Sequence, residues 1–134
     1  MGRTKGLLVA LFVIGFLSAG AGAISAQRWE NLGTKDISAQ AETDEIRVTS
    51  FEGQIRKLRF SASDAPVRFY LARVTFRSGE RQYIPLGSQL VRPGGYTRMY
   101  DLRDKDRYIT VIHLFAEAAG RPGQGARATA WGLK

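Results

Sequence analysis

His113 is the only histidine in a chain of 134 residues that contains no cysteine. One imidazole and no thiol leave out disulfide frameworks, zinc fingers, iron–sulfur clusters, thiol nucleophiles and multi-histidine metal sites. His113 lies in the apolar run Val111-Ile112-His113-Leu114-Phe115. A catalytic base needs a nucleophile or water within reach and a group that orients its ring. The sequence has no Gly-x-Ser-x-Gly motif and no acid whose spacing ties it to His113, so His113 reads as a structural or surface side chain. Asp101, Asp104 and Asp106 have the spacing of a calcium loop, but Arg103, Lys105 and Arg107 alternate with them. Calcium requires converging oxygens without cations between them. The segment therefore reads as a solvated turn in which Arg107 pairs with Asp101, with an anion site as the minority reading. Gly123-Gln124-Gly125 followed by Ala128 mimics a dinucleotide fingerprint, yet it precedes a strand rather than opening a helix. Glu52, Glu80 and Glu117 are available as glycosidase-like carboxylates, but no spacing singles them out. No catalytic residue, metal site or cofactor is expected.

The chemistry that remains is that of arginine. Of 20 basic residues fifteen are Arg, against 12 acidic ones, giving a formal charge of +8. Guanidinium groups pair bidentately with carboxylate, sulfate or phosphate and stack on rings. Arg56, Lys57, Arg59, Arg68, Arg73 and Arg77 crowd into one stretch with Tyr70. Arg56, Lys57, Arg59 and Arg73 form the candidate anion site. The alternative is a compositional excess of Arg spread over a solvated surface, since net charge governs association rather than fold.

Those residues must be positioned by strands. After Ala26 no window carries a helical period. Many windows alternate apolar and polar residues between Gly, Pro, Asp and Ser breaks. Candidate strands fall at about 34–38, 44–50, 54–62, 67–77, 81–86, 88–92, 96–102, 107–116 and 126–132. Eight or nine short strands predict an all-β antiparallel sandwich, jelly-roll or immunoglobulin-like. Around Ser63-Asp64-Ala65-Pro66 the apolar pattern is symmetric. It predicts a hairpin with Phe60 opposite Phe69, Leu58 opposite Leu71, Ile55 opposite Val74, Arg59 against Tyr70 and Arg56 against Arg73. A phase slip near Arg56-Lys57 and Ala72-Arg73 calls for a bulge, and a similar slip separates Ile109 from Ile112 and Leu114. Ser78-Gly79-Glu80 and Pro93-Gly94-Gly95 read as tight turns. The expected core is Phe60, Phe69, Leu58, Leu71, Ile55, Val74, Ile112 and Leu114.

The first 26 residues have a different grammar. Arg3 and Lys5 precede the uncharged run Leu7 to Leu17, and small residues follow up to Ala26. This is the order of a Sec-type signal peptide, with cleavage after residue 23 or 26. No Arg-Arg pair points to the twin-arginine route. The competing reading is an uncleaved anchor, disfavoured because the second half of the segment is Ala, Gly and Ser. Cleavage would leave one domain at 27–134, periplasmic or secreted, not spanning a membrane, with net charge +6.

Trp29-Glu30-Asn31-Leu32-Gly33, Val74-Thr75-Phe76 ahead of Gly79, Gly94-Gly95-Tyr96-Thr97-Arg98 with Asp101-Leu102, Arg107-Tyr108-Ile109 with Ile112 and Leu114, and Ala130-Trp131-Gly132 occur in that order. Together they resemble a family of small exported bacterial proteins of unknown function. The resemblance implies an exported all-β sandwich and brings no catalytic residues. The Gly120-Arg121-Pro122-Gly123 loop departs from the family pattern. The functional expectation is an exported, non-enzymatic binding module. Its partner is a polyanionic envelope component or an acidic protein. A glycan-acting hydrolase and a purely structural envelope protein are the alternatives.

Overall fold

The computed structural model describes residues 28–48, 53–103 and 107–134. The candidate signal segment, Glu52 and residues 104–106 of the Asp/Lys loop lie outside the described residues. Among the described residues eight strands are formed: β1 (Trp29–Ile37), β2 (Glu42–Arg47), β3 (Lys57–Ser63), β4 (Val67–Phe76), β5 (Arg81–Val91), β6 (Tyr100–Asp101), β7 (Ile109–Ala118) and β8 (Ala126–Leu133). They make two four-stranded sheets, ordered β1-β8-β3-β6 and β2-β7-β4-β5. Every strand pairing is antiparallel.

The pairing is nested. β1 pairs with β8, β2 with β7, β3 with β6 and β4 with β5. The chain is thus one long hairpin folded at the turn between β4 and β5. It is then rolled so that β8 meets β3 and β7 meets β4. This is the jelly-roll form of the sandwich. Alternation supplies the layer between the sheets. Leu58, Phe60 and Ala62 of β3 point inward with Ala126, Ala128 and Ala130 of β8. From the other sheet come Val67, Phe69, Ala72, Val74 and Phe76 of β4, with Ile112, Leu114 and Ala116 of β7. The small residues of β8 make room for the bulky ones opposite. At Gly132 an added Cβ would lie 2.8 Å from Ile55 and 3.0 Å from Leu32.

The symmetric pattern around Ser63–Pro66 proves to have a different cause. β3 and β4 do not pair; they lie in different sheets, and the turn carries the chain across the sandwich. Phe60 and Phe69 do meet, as stacked rings with centroids 5.8 Å apart, but across the core. Both hairpin and arch bring mirror-related residues together, so the apolar symmetry fits either. The polar consequences differ. Arg56 and Arg73 do not face each other, and Arg59 is not over Tyr70, because the outward faces of β3 and β4 are opposite surfaces of the sandwich.

Leu71 is the one expected core residue that is not buried. The irregularity in β4 falls between Phe69 and Leu71, where Tyr70 is the extra residue against β7. That is earlier than the expected slip, so Leu71 turns outward and Ala72 inward. The slip after Ile109 occurs as expected, at Thr110 between Phe76↔Ile109 and Thr75↔Val111. The expected strands 81–86 and 88–92 are one strand, β5. Within it Leu86, Gly87 and Ser88 oppose Tyr70 alone. Gly87 and Ser88 both have positive φ, 67° and 59°. Of the expected strand 96–102, only Tyr100–Asp101 is a strand, and Tyr96 makes a single bridge to Ser61.

Candidate functional site: a basic cleft at the margin of one sheet

The cleft is built from backbone outward. Arg56, just before β3, donates its N–H to Leu133 O at 2.7 Å and accepts from Leu102 N at 2.9 Å. Ile55 N donates to Arg107 O at 2.9 Å. These bonds gather four segments: the start of β3, the residue after β6, the lead-in to β7, and the end of β8. Gln82 secures the far wall. Its side chain, on β5 of the other sheet, is buried. Its Nε2 donates to Asp101 O and its Oε1 accepts from Arg103 N, both at 2.9 Å. A buried amide with both ends satisfied fixes the path of the backbone it bonds.

The result is an open cleft of about 560 Å³ lined by Arg56, Lys57, Asp101, Leu102, Arg103 and Arg107. Among these described residues four side chains are cationic and one is a carboxylate. Lys57 Nζ donates to Asp101 Oδ1 at 2.5 Å. This hydrogen bond, then the charges of Lys57 and Arg107, hold the Asp101 carboxyl below its ordinary range. Asp101 therefore takes its hydrogen bond from Lys57, while Arg107, the partner expected from sequence, acts through its charge. Arg56 Nη2 donates to the carbonyl of Lys134 at 3.1 Å. Among the described residues that line it, the cleft has four cationic side chains to one side-chain carboxylate, an excess of positive charge suited to an anion.

Of the four residues expected to form an anion site, Arg56 and Lys57 sit in this cleft. Arg59 lies next to it on the outward face of the same sheet. Its guanidinium carbon is 4.1 Å from the ring centre of Trp29 and 3.9 Å from that of Tyr96. Arg73 is excluded, since it lies on the outward face of the other sheet. There its Nη2 is 3.1 Å from His113 Nδ1. Guanidinium can only donate, so Nδ1 accepts and the ring proton belongs on Nε2. That atom lies 3.3 Å from Glu45 Oε2. His113 thus has an acid partner supplied by a neighbouring strand. Beside it, Tyr70 donates to Glu117 Oε1 at 2.8 Å. Among the described residues, no three His, Cys, Asp or Glu side chains come close enough to hold a metal ion.

Sequence reasoning left Arg103 in a solvated turn, with an anion site there as the minority reading, and did not join it to Arg56 and Lys57; its place in the cleft depends on Gln82. It also missed the rings around Arg59. Trp29, Tyr96 and Trp131 stand out in the sequence only as parts of a family pattern.

The family described as a domain of unknown function, DUF2541, matches residues 6–132. No curated protein matches the sequence. Among the solved structures that are similar in part, three are these. The Pseudomonas aeruginosa protein AlgX has 15% identity and a TM-score of 0.43, over 78% of this chain and 27% of that one. A protein of infectious bursal disease virus, Gt strain, has 14% identity and a TM-score of 0.39, over 80% of this chain and 32% of that one. The SPBc2 prophage-derived protein YomS has 12% identity and a TM-score of 0.35, over 75% of this chain and 93% of that one. This chain spans about a quarter and a third of the first two.

Proposed function

We propose that this chain, which belongs to the DUF2541 family, is an exported binding module that captures an anionic ligand without transforming it. The observation that carries the reading is the cleft: Arg56, Lys57, Arg103 and Arg107 line it together with Asp101, the one acidic side chain among the described lining residues. Cations brought together from separate segments repel one another. An acidic group entering the cleft would relieve that repulsion and meet guanidinium forks suited to carboxylate, sulfate or phosphate. Export rests on the basic, apolar and small-residue order of residues 1–26. The candidate ligands are therefore acidic components of the cell envelope or its surroundings.

Retention on a heparin column with a salt gradient tests the cleft. Bound cations release counterions, so retention should fall steeply with salt. The double variant Arg56→Gln/Arg103→Gln should elute at clearly lower salt than Arg121→Gln/Arg127→Gln, which loses the same charge elsewhere. Arg73→Gln should elute close to a single-charge control. Equal elution of the two double variants would reject the cleft in favour of bulk charge. Export is tested by intact mass: mature protein should begin at Ile24 or Gln27, and a full-length mass in the membrane fraction would reject cleavage.

A further inference from the structure

Arg59 stands out among the described cations. Its guanidinium lies between the rings of Trp29 and Tyr96, and Tyr96 in turn meets Trp131 edge-on, with centroids 6.3 Å apart. Each ring is held from behind. Thr97 is buried and locked to the backbone of Phe60, its N–H donating to Phe60 O at 2.8 Å and its Oγ1 accepting from Phe60 N at 3.0 Å. That lock sets Tyr96 beside β3. Trp131 is anchored by its Nε1–H, which donates to Ser61 Oγ at 2.8 Å. Trp29 and Lys57 both lie opposite Leu133, on either side of β8, so the bracket adjoins the cleft.

The guanidinium so placed has no carboxylate or carbonyl partner among the described residues, and its Nε is buried without an acceptor. Buried donors without partners are costly and uncommon. Stacking between two rings fixes the plane of the fork and lowers the ordering cost of bidentate pairing. The remaining outward surface of this sheet is neutral and rich in hydroxyls. It carries Ser61, the hydrogen-bonded pair Thr34 and Thr129 (2.8 Å), and Asn31. Arg127, the other cation there, faces Asp36 at 3.6 Å.

We infer that this face binds an acidic glycan, its uronate carboxylates paired to Arg59 and to the basic cleft and its sugar rings laid on Tyr96 and Trp131. The inference rests on the anion-binding reading and names the ligand class. Three features separate a glycan from a nucleic acid. Charge is concentrated at one end of the face instead of repeating along it, as a phosphodiester chain requires. The slot between Trp29 and Tyr96, where a base would insert, is filled by Arg59. Hydroxyls and an amide line the path beyond, matching saccharide hydroxyls.

Trp29 and Trp131 are the chain's two tryptophans, so intrinsic emission reports on this face. The test titrates the protein with oligogalacturonate, with a neutral glucan of equal length, and with single-stranded DNA of matched charge. Expected are saturable binding of oligogalacturonate with a change in tryptophan emission, and no response to the glucan. Arg59→Gln should weaken binding roughly 10- to 100-fold, the usual range for a lost charge-assisted pair. Arg59→Lys should recover part of the affinity through charge alone, and Tyr96→Leu should reduce both affinity and emission change. Circular dichroism and urea unfolding confirm that each variant is folded. Unchanged affinity in Arg59→Gln with loss in Arg56→Gln/Arg103→Gln overturns the inference and leaves the cleft reading standing. Failure to bind oligogalacturonate while heparin retention persists overturns the uronate class. Equal or tighter binding of DNA with the same emission change assigns the face to nucleic acid. Loss of all polyanion binding removes both readings.

Discussion

Thr34 on β1 and Thr129 on β8 lie directly opposite each other on the outward face, with hydroxyl oxygens 2.8 Å apart. They are 95 residues apart in sequence. The chain has no cysteine, so Thr34→Cys/Thr129→Cys introduces one pair of thiols at a spacing a disulfide can bridge. Closing a loop of this length should stabilise the fold by about 4.7 kcal/mol in the chain-entropy treatment. Loss of the exposed Thr–Thr hydrogen bond offsets about 1 kcal/mol of that. A net gain of about 3–4 kcal/mol should raise the urea midpoint by roughly 2 M for a domain of this size. The assay compares urea unfolding of the oxidised and reduced forms, with thiol counts to confirm closure. The control is Arg56→Cys/Arg73→Cys, which a β3–β4 hairpin would place face to face and the sandwich places on opposite surfaces. Failure of the first pair to close, or intramolecular closure of the second, would refute the nested pairing. Closure that lowers the midpoint would refute the loop-entropy argument.

Phe60→Ala removes a fully buried ring stacked on Phe69 and should cost about 3–5 kcal/mol by denaturant unfolding. Gly132→Ala brings a Cβ to 2.8 Å from Ile55 and should cost about 1–3 kcal/mol through overpacking. The Asp101 carboxyl, held low first by its hydrogen bond from Lys57, should titrate below the ordinary carboxylate range when followed by NMR. Its stabilising pairing is then present above that range and lost as pH falls through the lowered pKa. In Lys57→Gln the titration should move up toward the ordinary range.

The strands were legible because alternation with a buried face is a direct imprint of the sandwich. Pairing was not. Phe60 and Phe69 carry the same mirror pattern whether their strands share a sheet or cross the core, and only the partner of each backbone N–H separates the two. Leu71 was misplaced for a related reason. The spacing to Val74 shows that a bulge exists, while its position depends on how β7 packs beside β4. The split of β5 follows from ending one expected strand at Leu86 and starting the next at Ser88, when Gly87-Ser88 is an excursion inside one strand. Arg56 and Lys57 were found because they are adjacent to an apolar strand with excess charge. Arg103 and Tyr96 are placed by Gln82 and Thr97, buried polar residues whose role is invisible without the fold.

The margins of the two sheets are β1, β6, β2 and β5, and each is poorly suited to accept a further strand. β6 is two residues long. β5 carries Pro85, which lacks an N–H, and the Gly87-Ser88 excursion interrupts its edge. β2 presents Glu42, Asp44, Glu45 and Arg47 within six residues. β1 is broken by the irregularity between Asn31 and Gly33 and carries Lys35 and Asp36 beyond it. Unpaired strand edges are templates on which identical chains add and fibres grow, and short, charged, proline-bearing or bulged edges frustrate that growth. The same irregularities that obscure the register therefore oppose edge-to-edge polymerisation of this domain.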